Sequence, residues 1–245
     1  MGILDGKVAV ITGGSSNIGL EIGRRFAAEG AKVIVAARDA DRLEKAVTSI
    51  GHGAVGISVD VADETQVKAL FEPLDRVDVL VTCAGGWVFG AIDELPPARW
   101  VELFAGRFFG QMYACHYAVP KMPAGGSIML CSGIAAKAAI ANYAGGTAVC
   151  GAVNSMGRQL AFELAPRGIR VNVLSPGLIL TDEEYERAID GQLPDDIVRR
   201  SFIDNSIPLK RSGTARDMAA AAMFLINCDY ATGMILDVDG GWTTV

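Results

Sequence analysis

The stretch VAVITGGSSNIGL, residues 8–20, decides the fold of this chain. A short β-branched run leads directly into a glycine-rich turn, and an amphipathic helical pattern follows the turn. Such a turn exposes backbone N–H groups and a helix N-terminus, which together favour a pyrophosphate group. Asn17 stands where glycine is usual, and asparagine tolerates a positive φ better than most residues. The predicted nucleotide contacts in this turn are Gly13, Ser15, Ser16, Asn17, Ile18 and Gly19.

The same alternation of strand and helix runs through the whole chain. Strands are predicted at residues 8–12, 32–36, 55–59, 77–82, 127–131, 170–174 and 235–238. Helices are predicted near residues 18–29, 40–49, 64–74, 97–121, 143–165 and 214–227. Continuous apolar strands that alternate with helices are typical of a parallel sheet covered on both faces. Residues 1–245 are therefore expected to form one α/β domain: a doubly wound Rossmann fold with a seven-stranded parallel sheet flanked by helices.

Composition excludes several classes of function. A net charge of −6 and a pI near 5.0 argue against a nucleic-acid partner, because no basic stripe exists to neutralise phosphates. No segment is long and apolar enough to span a bilayer, and the N-terminus lacks the pattern of a signal peptide, so a cytoplasmic protein without membrane contact is expected. Five dispersed cysteines and two isolated histidines give no metal-binding motif, so no metal site is expected.

The segment 181–211 breaks the regular alternation, because it is strongly charged and then carries Pro194 and Pro208. An insertion after the carboxyl end of a strand lies where open α/β sheets bind ligands. The segment is therefore interpreted as a substrate lid. A solvated surface excursion is the alternative interpretation.

The tip of the second strand bears on the choice of nucleotide. An acidic residue about twenty positions beyond the glycine turn would bind the adenosine ribose hydroxyls of NAD. Ala37 and Arg38 stand there instead, and a guanidinium suits a 2′-phosphate, so NADP(H) is favoured over NAD(H). Asp39 follows directly, either as a competing acidic residue or as the N-cap of the next helix.

These motifs, with others in the same order, resemble those of the short-chain dehydrogenase/reductase family of the short, single-domain type. Besides the glycine turn, the resemblance rests on Asp60-Val61, TCAG at 82–85, SPGLILT at 175–181 and VDGGW at 238–242. It covers essentially the full length of the chain. The further cofactor contacts that it implies are Asp60, Val61, Ala84, Gly85, Pro176, Gly177, Ile179 and Thr181.

The reaction centre of the resembled family uses Asn, Ser, Tyr and Lys. Ser132 and Tyr143 match two of these, although the loop between them is about two residues shorter than is common. Thr147 stands at the Lys position, and Arg107 at the Asn position. A neutral Thr hydroxyl cannot lower the Tyr143 pKa by the roughly three units, about 4 kcal/mol, that separate a tyrosine from neutrality.

We hypothesise that Arg107 supplies the missing positive charge as a fixed guanidinium that favours tyrosinate. Lys137 in the Ser–Tyr loop is the second candidate for that charge. Alternatively, Arg107 forms a salt bridge between helices or subunits. Ser132, Tyr143 and Arg107 are thus the candidate catalytic residues.

The resemblance implies an oxidoreductase acting on a small carbonyl or alcohol substrate, with Tyr143 as acid/base and Ser132 binding the substrate oxygen. Two alternatives stay open: a catalytically silent cofactor-binding homologue, and a lyase or isomerase that uses Ser132 and Tyr143 without redox change. Trp87, Val88 and Phe89 are expected to line an apolar substrate pocket or to pack in the core. Apolar helices at 97–121 and 143–165 imply a homo-oligomer, a tetramer or a dimer.

Overall fold

A computed structural model describes residues 2–181 and 200–244 of the protein. Its centre is a seven-stranded, entirely parallel sheet in the order β3-β2-β1-β4-β5-β6-β7. The strands are β1 Val8–Thr12, β2 Lys32–Ala37, β3 Val55–Ser58, β4 Val79–Thr82, β5 Ser127–Cys131, β6 Arg170–Pro176 and β7 Ile235–Val238. The predicted Rossmann architecture is confirmed, and every predicted strand exists with ends that differ by at most two residues.

Helices connect the strands on both faces of the sheet. They are α1 Asn17–Ala28, α2 Ala40–Ile50, α3 Glu64–Phe71, α4 Pro97–Phe104, α5 Gly110–Ala118, α6 Ala144–Leu164, α7 Arg200–Ser206 and α8 Ala215–Asn227. Side chains define several of the starts: Asp63 accepts hydrogen bonds from two amides of α3, and Thr214 and Asp217 form a reciprocal capping box on α8.

One predicted helix is interrupted. Instead of a single α-helix over 97–121, α4 and α5 are joined by a π-helical turn, Ala105–Phe109. The amide of Gly110 bonds the carbonyl of Ala105, five residues back, so the turn holds one residue more than an α-helical turn. The wider turn contains Arg107.

Two apolar layers cover the sheet, because successive strand residues point to opposite faces. One layer packs strand residues against α3, α5 and α6, and its buried members include Val10, Leu80, Ile128, Leu130, Val153 and Leu70. The other packs the alternate strand residues against α1, α2 and α8, and includes Ile11, Val81, Met129, Ile22, Phe26 and Met218. Both faces are thus closed to water.

The chain changes direction between β1 and β4, which are neighbours in the sheet although they are not consecutive. In doubly wound sheets the crevice at this point, beyond the carboxyl ends of the strands, binds ligands. The predicted lid at 181–211 falls mostly on residues 182–199, which lie outside the described residues; its last part contains α7. Among the described residues no helix has the length and apolar character needed to cross a membrane.

Candidate active site

In the turn after β1, a side chain at Gly13 or Gly19 would collide with neighbouring backbone. Gly13 has a φ of +73°, and its amide donates to the carbonyl of Ala36 at 2.7 Å. A Cβ at Gly13 would lie 2.6 Å from the backbone nitrogen of Ala84, and one at Gly19 would lie 2.4 Å from the Gly13 carbonyl oxygen. The turn therefore packs directly onto the backbone after β4 and holds α1 against it.

The N-terminus of α1 leaves polar groups available for a ligand. Ser16 is the N-cap residue in an extended conformation, its side chain makes no capping bond, and the first turn of α1 carries no acidic residue. Asn17 adopts a φ of +41°, the positive value that the sequence led us to expect at this position. Its buried Oδ1 has no partner among the described residues. Unbonded amides at a helix N-terminus suit a pyrophosphate, so the residues present fit a dinucleotide.

The acidic residue after β2 is engaged in a structural role. Asp39 caps α2 by accepting from the amide of Arg42 at 3.0 Å, and its carboxylate pairs with the Arg42 guanidinium at 3.3 Å. Of the two roles considered for Asp39, the N-cap is the one observed. Arg38 is exposed beside it at the end of the strand.

The other predicted cofactor contacts cluster at the carboxyl edge of the sheet. Asp60 accepts from the amide of Ala62 at 3.0 Å in the turn after β3. The amide of Gly177, directly after β6, donates to the carbonyl of Val238 at 3.0 Å. The remaining members are Val61 beyond β3, Ala84 and Gly85 beyond β4, Pro176 at the end of β6, and Ile179 and Thr181 after it. All follow strands whose carboxyl ends meet at this edge.

Arg107 reaches this edge because two local features allow it. Its side chain leaves the π turn and bonds backbone carbonyls that follow β4 and β5, and Gly85 gives it room: a Cβ at Gly85 would lie 2.3 Å from Cγ of Arg107. Gly85 also has a φ of +131°, which favours glycine for a second reason. Gln111, one turn farther along the helix, donates to the Arg107 carbonyl at 2.6 Å.

The guanidinium of Arg107 is almost fully buried, at 7% exposure. It donates to the carbonyl of Ser132 at 3.2 Å and to that of Gly86 at 3.4 Å, and it lies 5.0 Å from the ring centre of Trp87. No carboxylate pairs with it in the part of the chain that the structure describes. The alternative of a salt bridge between helices is therefore not what is observed within this chain.

Ser132 and Tyr143 are both buried, and both lie near Cys150. The Ser132 hydroxyl donates to the backbone carbonyl of Cys150 at 3.1 Å. The Tyr143 ring is 1% exposed and stacks on Phe89 with ring centres 4.5 Å apart, with Trp87 at 6.0 Å. The phenol hydroxyl is buried and has no hydrogen-bond partner among the described residues. Trp87 and Phe89, expected either to line a substrate pocket or to pack in the core, are exposed side chains that contact the Tyr143 ring, and Val88 packs against the core.

The ring of Tyr143 folds back over the first turn of α6. Tyr143 is the N-cap residue of this helix and follows Asn142, whose φ is +55°. A Cβ at Gly146 would lie 2.0 Å from Cζ of Tyr143 and within 2.4 Å of both Cε atoms. The phenol therefore occupies the space that any side chain at position 146 would need.

The electrostatic surroundings of Tyr143 combine opposing effects. Burial raises the pKa of Tyr143 to about 12, the positive charge of Arg107 acts to lower it, and Cys150 adds a smaller upward effect. Arg107 acts in the direction that the sequence hypothesis requires. Its effect is outweighed, because taking a phenolate out of water costs more than this one charge returns. The hydroxyl stays protonated at neutral pH.

The other candidate for the missing charge has a different partner. Lys137 bonds the carboxylate of Asp237 on β7 and does not contact the Tyr143 hydroxyl. Thr147 is half-buried within α6, and its amide donates to the Tyr143 carbonyl at 2.9 Å. The positive charge that acts on Tyr143 is accordingly that of Arg107.

Sequence reasoning missed a buried amide that joins three elements. Gln111 accepts from the Thr82 hydroxyl at 2.6 Å and from the amide of Cys131 at 3.2 Å, and it donates to the Cys131 carbonyl at 2.9 Å. Together with its bond to Arg107, this ties α5 to the ends of β4 and β5. Its position four residues after Arg107, on the same helix face, was the available signal. Nothing in the sequence indicated a role for Cys150, whose carbonyl accepts from Ser132 and whose side chain raises the pKa of Tyr143.

Comparison with known proteins gives full-length matches. Residues 13–243 match the family model described as enoyl-(acyl carrier protein) reductase. An uncharacterized oxidoreductase of Methylorubrum extorquens is 34% identical over 252 residues, covering 98% of this chain and 99% of the relative. The galactitol 2-dehydrogenase (L-tagatose-forming) of Cereibacter sphaeroides is 35% identical over 257 residues, covering 98% and 96%. A solved short-chain dehydrogenase/reductase family protein superposes with a TM-score of 0.87 at 33% identity, covering 99% of both chains.

Proposed function

Because the chain belongs to the short-chain dehydrogenase/reductase family and is an NAD(P)-dependent oxidoreductase, we propose that it transfers a hydride between NADP(H) and a small carbonyl or alcohol substrate. Tyr143 would exchange the proton and Ser132 would bind the substrate oxygen. One observation carries the proposal: a buried phenol hydroxyl, with no hydrogen-bond partner among the described residues, lies in the field of Arg107, whose guanidinium bonds the Ser132 carbonyl.

The buried phenol favours carbonyl reduction over alcohol oxidation. When bound, the reduced nicotinamide supplies a hydride to the carbonyl carbon of the substrate. The O–H proton of Tyr143 passes to the carbonyl oxygen, and the electron pair of that O–H bond stays on the phenolate. A pKa of about 12 keeps Tyr143 protonated at neutral pH, which suits a proton donor. The fixed charge of Arg107 stabilises the negative charge that develops on both oxygens.

Ser132 would orient the substrate oxygen. Its hydroxyl now donates to the Cys150 carbonyl, so binding a substrate requires the hydroxyl to rotate toward the new acceptor. Arg107 holds the Ser132 backbone through the carbonyl bond at 3.2 Å. We assign Arg107 as the fixed cation of the site, with no role as a proton carrier, because a guanidinium does not deprotonate in proteins.

The preference for NADP(H) rests on the tip of β2. The carboxylate of Asp39 is occupied by the α2 cap and by Arg42, so it does not compete for ribose hydroxyls. Arg38 is the exposed charged group that remains there, and a guanidinium pairs well with a phosphate. The remaining cofactor contacts would be the amides of the glycine turn and the strand ends described above.

A catalytically silent cofactor-binding protein is the second candidate, and a specific observation favours it. Thr147 carries no charge, the Tyr143 ring is covered by Phe89 and Trp87, and its pKa is raised rather than lowered. A phenol locked in this position would bind no substrate oxygen. Both candidate functions include nucleotide binding at the glycine turn, and only the oxidoreductase converts a substrate.

Substitution of the phenol separates these candidates. We expect NADPH to be consumed with at least one member of a panel of ketones and aldehydes, and Tyr143→Phe to lower kcat/KM about a hundredfold to ten-thousandfold. Tyr230→Phe is the matched control, because Tyr230 is fully exposed. NADPH binding in calorimetry without turnover on any panel member would support the silent protein instead.

The pH dependence tests the proton assignment. With the Tyr143 pKa at about 12, carbonyl reduction should be nearly independent of pH through the neutral range. Alcohol oxidation needs tyrosinate, so its kcat/KM should rise about tenfold per pH unit over the same range. Arg107→Gln removes the charge that lowers the pKa of Tyr143, so oxidation at a given pH should slow further. An oxidation rate that levels off near pH 7 would contradict the assignment.

We also infer that the protein forms a homo-oligomer, because large apolar side chains on α4, at the end of the π turn and on α6 face solvent. Val101 is 70% exposed, Phe109 42% and Phe162 79%. Light scattering during size-exclusion chromatography measures the mass directly. A monomer at micromolar concentration would contradict this inference.

A further inference from the structure

Two cysteines lie side by side at the floor of the candidate site. Cys83 directly follows β4 and Cys131 ends β5, and the register of these parallel strands pairs Thr82 with Leu130. The next residues along each strand are therefore neighbours, and each of the two thiols affects the pKa of the other. Side chains at paired positions of adjacent strands point to the same face of the sheet.

The two thiols differ in which one keeps its proton. The interaction with Cys131, together with burial, raises the pKa of Cys83 well above the ordinary thiol value. The interaction with Cys83 lowers the pKa of Cys131, and the positive charge of Arg107 lowers it further against the effect of burial. Cys131 is thus the thiol of the pair that loses its proton more readily.

The surroundings distinguish this pair from the other cysteines. Cys83 and Cys131 are both half-buried, whereas Cys115 and Cys150 are buried. The Gln111 side chain bonds both the backbone amide and the backbone carbonyl of Cys131, so the backbone that carries this thiol is held in place. Reactive cysteines are found in partly exposed positions near a positive charge, as here.

We propose that Cys83 and Cys131 form a peroxide-sensitive dithiol site, in which Cys131 attacks the peroxide and Cys83 resolves the product as an intramolecular disulfide. The oxidant is hydrogen peroxide. The proposal does not rest on hydride transfer, since its readouts are covalent changes at sulfur.

The chemistry balances in two steps. The Cys131 thiolate attacks one peroxide oxygen, the O–O bond breaks, sulfur is oxidised to sulfenic acid, and the leaving hydroxide takes a proton to give water. The Cys83 sulfur then attacks the sulfenic sulfur, the S–O bond breaks, and the thiol proton leaves with the hydroxyl as a second water. The product is one disulfide with the loss of two hydrogens from the protein.

Such a bond would alter the candidate site directly. Cys83 precedes Ala84 and Gly85, and Cys131 precedes Ser132, so joining the two sulfurs pulls on the backbone beside Arg107. The two residues belong to adjacent strands of a continuous sheet, where the ladder limits movement. A disulfide formed there is expected to be strained, and strained disulfides are easily reduced.

The sequence makes the test unambiguous, because cleavage after Lys and Arg puts each cysteine in a separate peptide: 77–99, 108–121, 122–137, 138–158 and 217–245. The intact protein is treated with hydrogen peroxide, and its remaining free thiols are alkylated. The protein is then digested and analysed by mass spectrometry. We expect peptides 77–99 and 122–137 to be joined and thiol reductants to release them. Their recovery as separate peptides, with Cys131 as sulfinic acid or unmodified, would overturn the proposal.

The rate of alkylation by iodoacetamide at pH 7 tests the roles of the two thiols. Cys131 should react severalfold faster than Cys228, which is also half-buried but follows α8. Arg107→Gln should slow alkylation of Cys131, whereas Arg99→Gln, which removes an exposed charge of the same kind on α4, should not. Equal rates at Cys131 and Cys228, or equal effects of the two Arg substitutions, would overturn the assigned role of the cation.

Discussion

The turn that follows β1 and the segment 132–143 that leads into α6 both reach the carboxyl edge of the sheet, but their geometry has different origins. The turn is shaped by glycine backbones in contact with other backbone, as at Gly13 and Gly19. The segment is shaped by side chains from distant elements, chiefly Arg107 and Phe89, which contact Ser132 and Tyr143. A site made of backbone amides tolerates few substitutions. A site assembled from side chains can change its residues while the sheet and helices that carry them stay the same.

The largest effect is expected at Gly13. Gly13→Ala combines a φ of +73° with a Cβ 2.6 Å from the backbone of Cys83 and Ala84, so it should cost about 3 kcal/mol or more of unfolding free energy and abolish NADPH binding. Gly53→Ala has the same φ but open space around the new methyl group, and should cost about 1 kcal/mol. Urea unfolding measures both. Equal costs would show that crowding does not shape this turn.

A smaller effect is expected at Gly146, which lies beneath the Tyr143 ring. Gly146→Ala would put a methyl group 2.0 Å from Cζ of Tyr143, so the ring must leave its place, at a cost of about 1–3 kcal/mol. NADPH binding should survive, because the nucleotide turn is untouched. Gly151→Ala is the control on the same helix: nothing lies within 4 Å of its Cβ, and it should stabilise by about 0.5–1 kcal/mol.

The Gly13/Gly53 and Gly146/Gly151 pairs together test whether the turn after β1 and the segment 132–143 are independent. Loss of NADPH binding in Gly146→Ala would mean that the two regions are coupled rather than independent. Unchanged stability in that variant would mean that the Tyr143 ring does not rest on Gly146.

The smallest effect is expected at the tip of β2. Arg38→Gln should weaken NADPH binding about tenfold, because one charged hydrogen-bonding group to a phosphate is lost, and should leave NADH binding nearly unchanged. Lys45→Gln, an exposed charge on α2, is the control for the general loss of positive charge. Calorimetric titration with the two nucleotides measures the ratio. An equal loss of affinity for both nucleotides would show that Arg38 does not recognise the 2′-phosphate.

Much of the fold was predictable from sequence, because it depends on periodicity and on local turn chemistry. The seven strands follow from apolar runs, and α1 begins where the glycine turn ends. The site was less predictable. Ser132, Tyr143 and Arg107 were identified by position, but the ring of Tyr143 over Gly146 and the bonds of Gln111 were not, since they join residues whose sequence patterns carry no signal of contact. The π turn was missed because it differs from an α-helix by one hydrogen-bonded step.

By itself, the sequence determined the parallel sheet, the glycine turn after β1 and the family, because each rests on residues close together along the chain. Only the tertiary structure decided the balance of charge at the reaction centre. Whether the effect of Arg107 on Tyr143 exceeds that of burial depends on distances and on the exclusion of water. The difference in pKa between Cys83 and Cys131 depends on two strands being neighbours. Electrostatic energies vary with separation and with local polarity, and both quantities exist only in the folded chain.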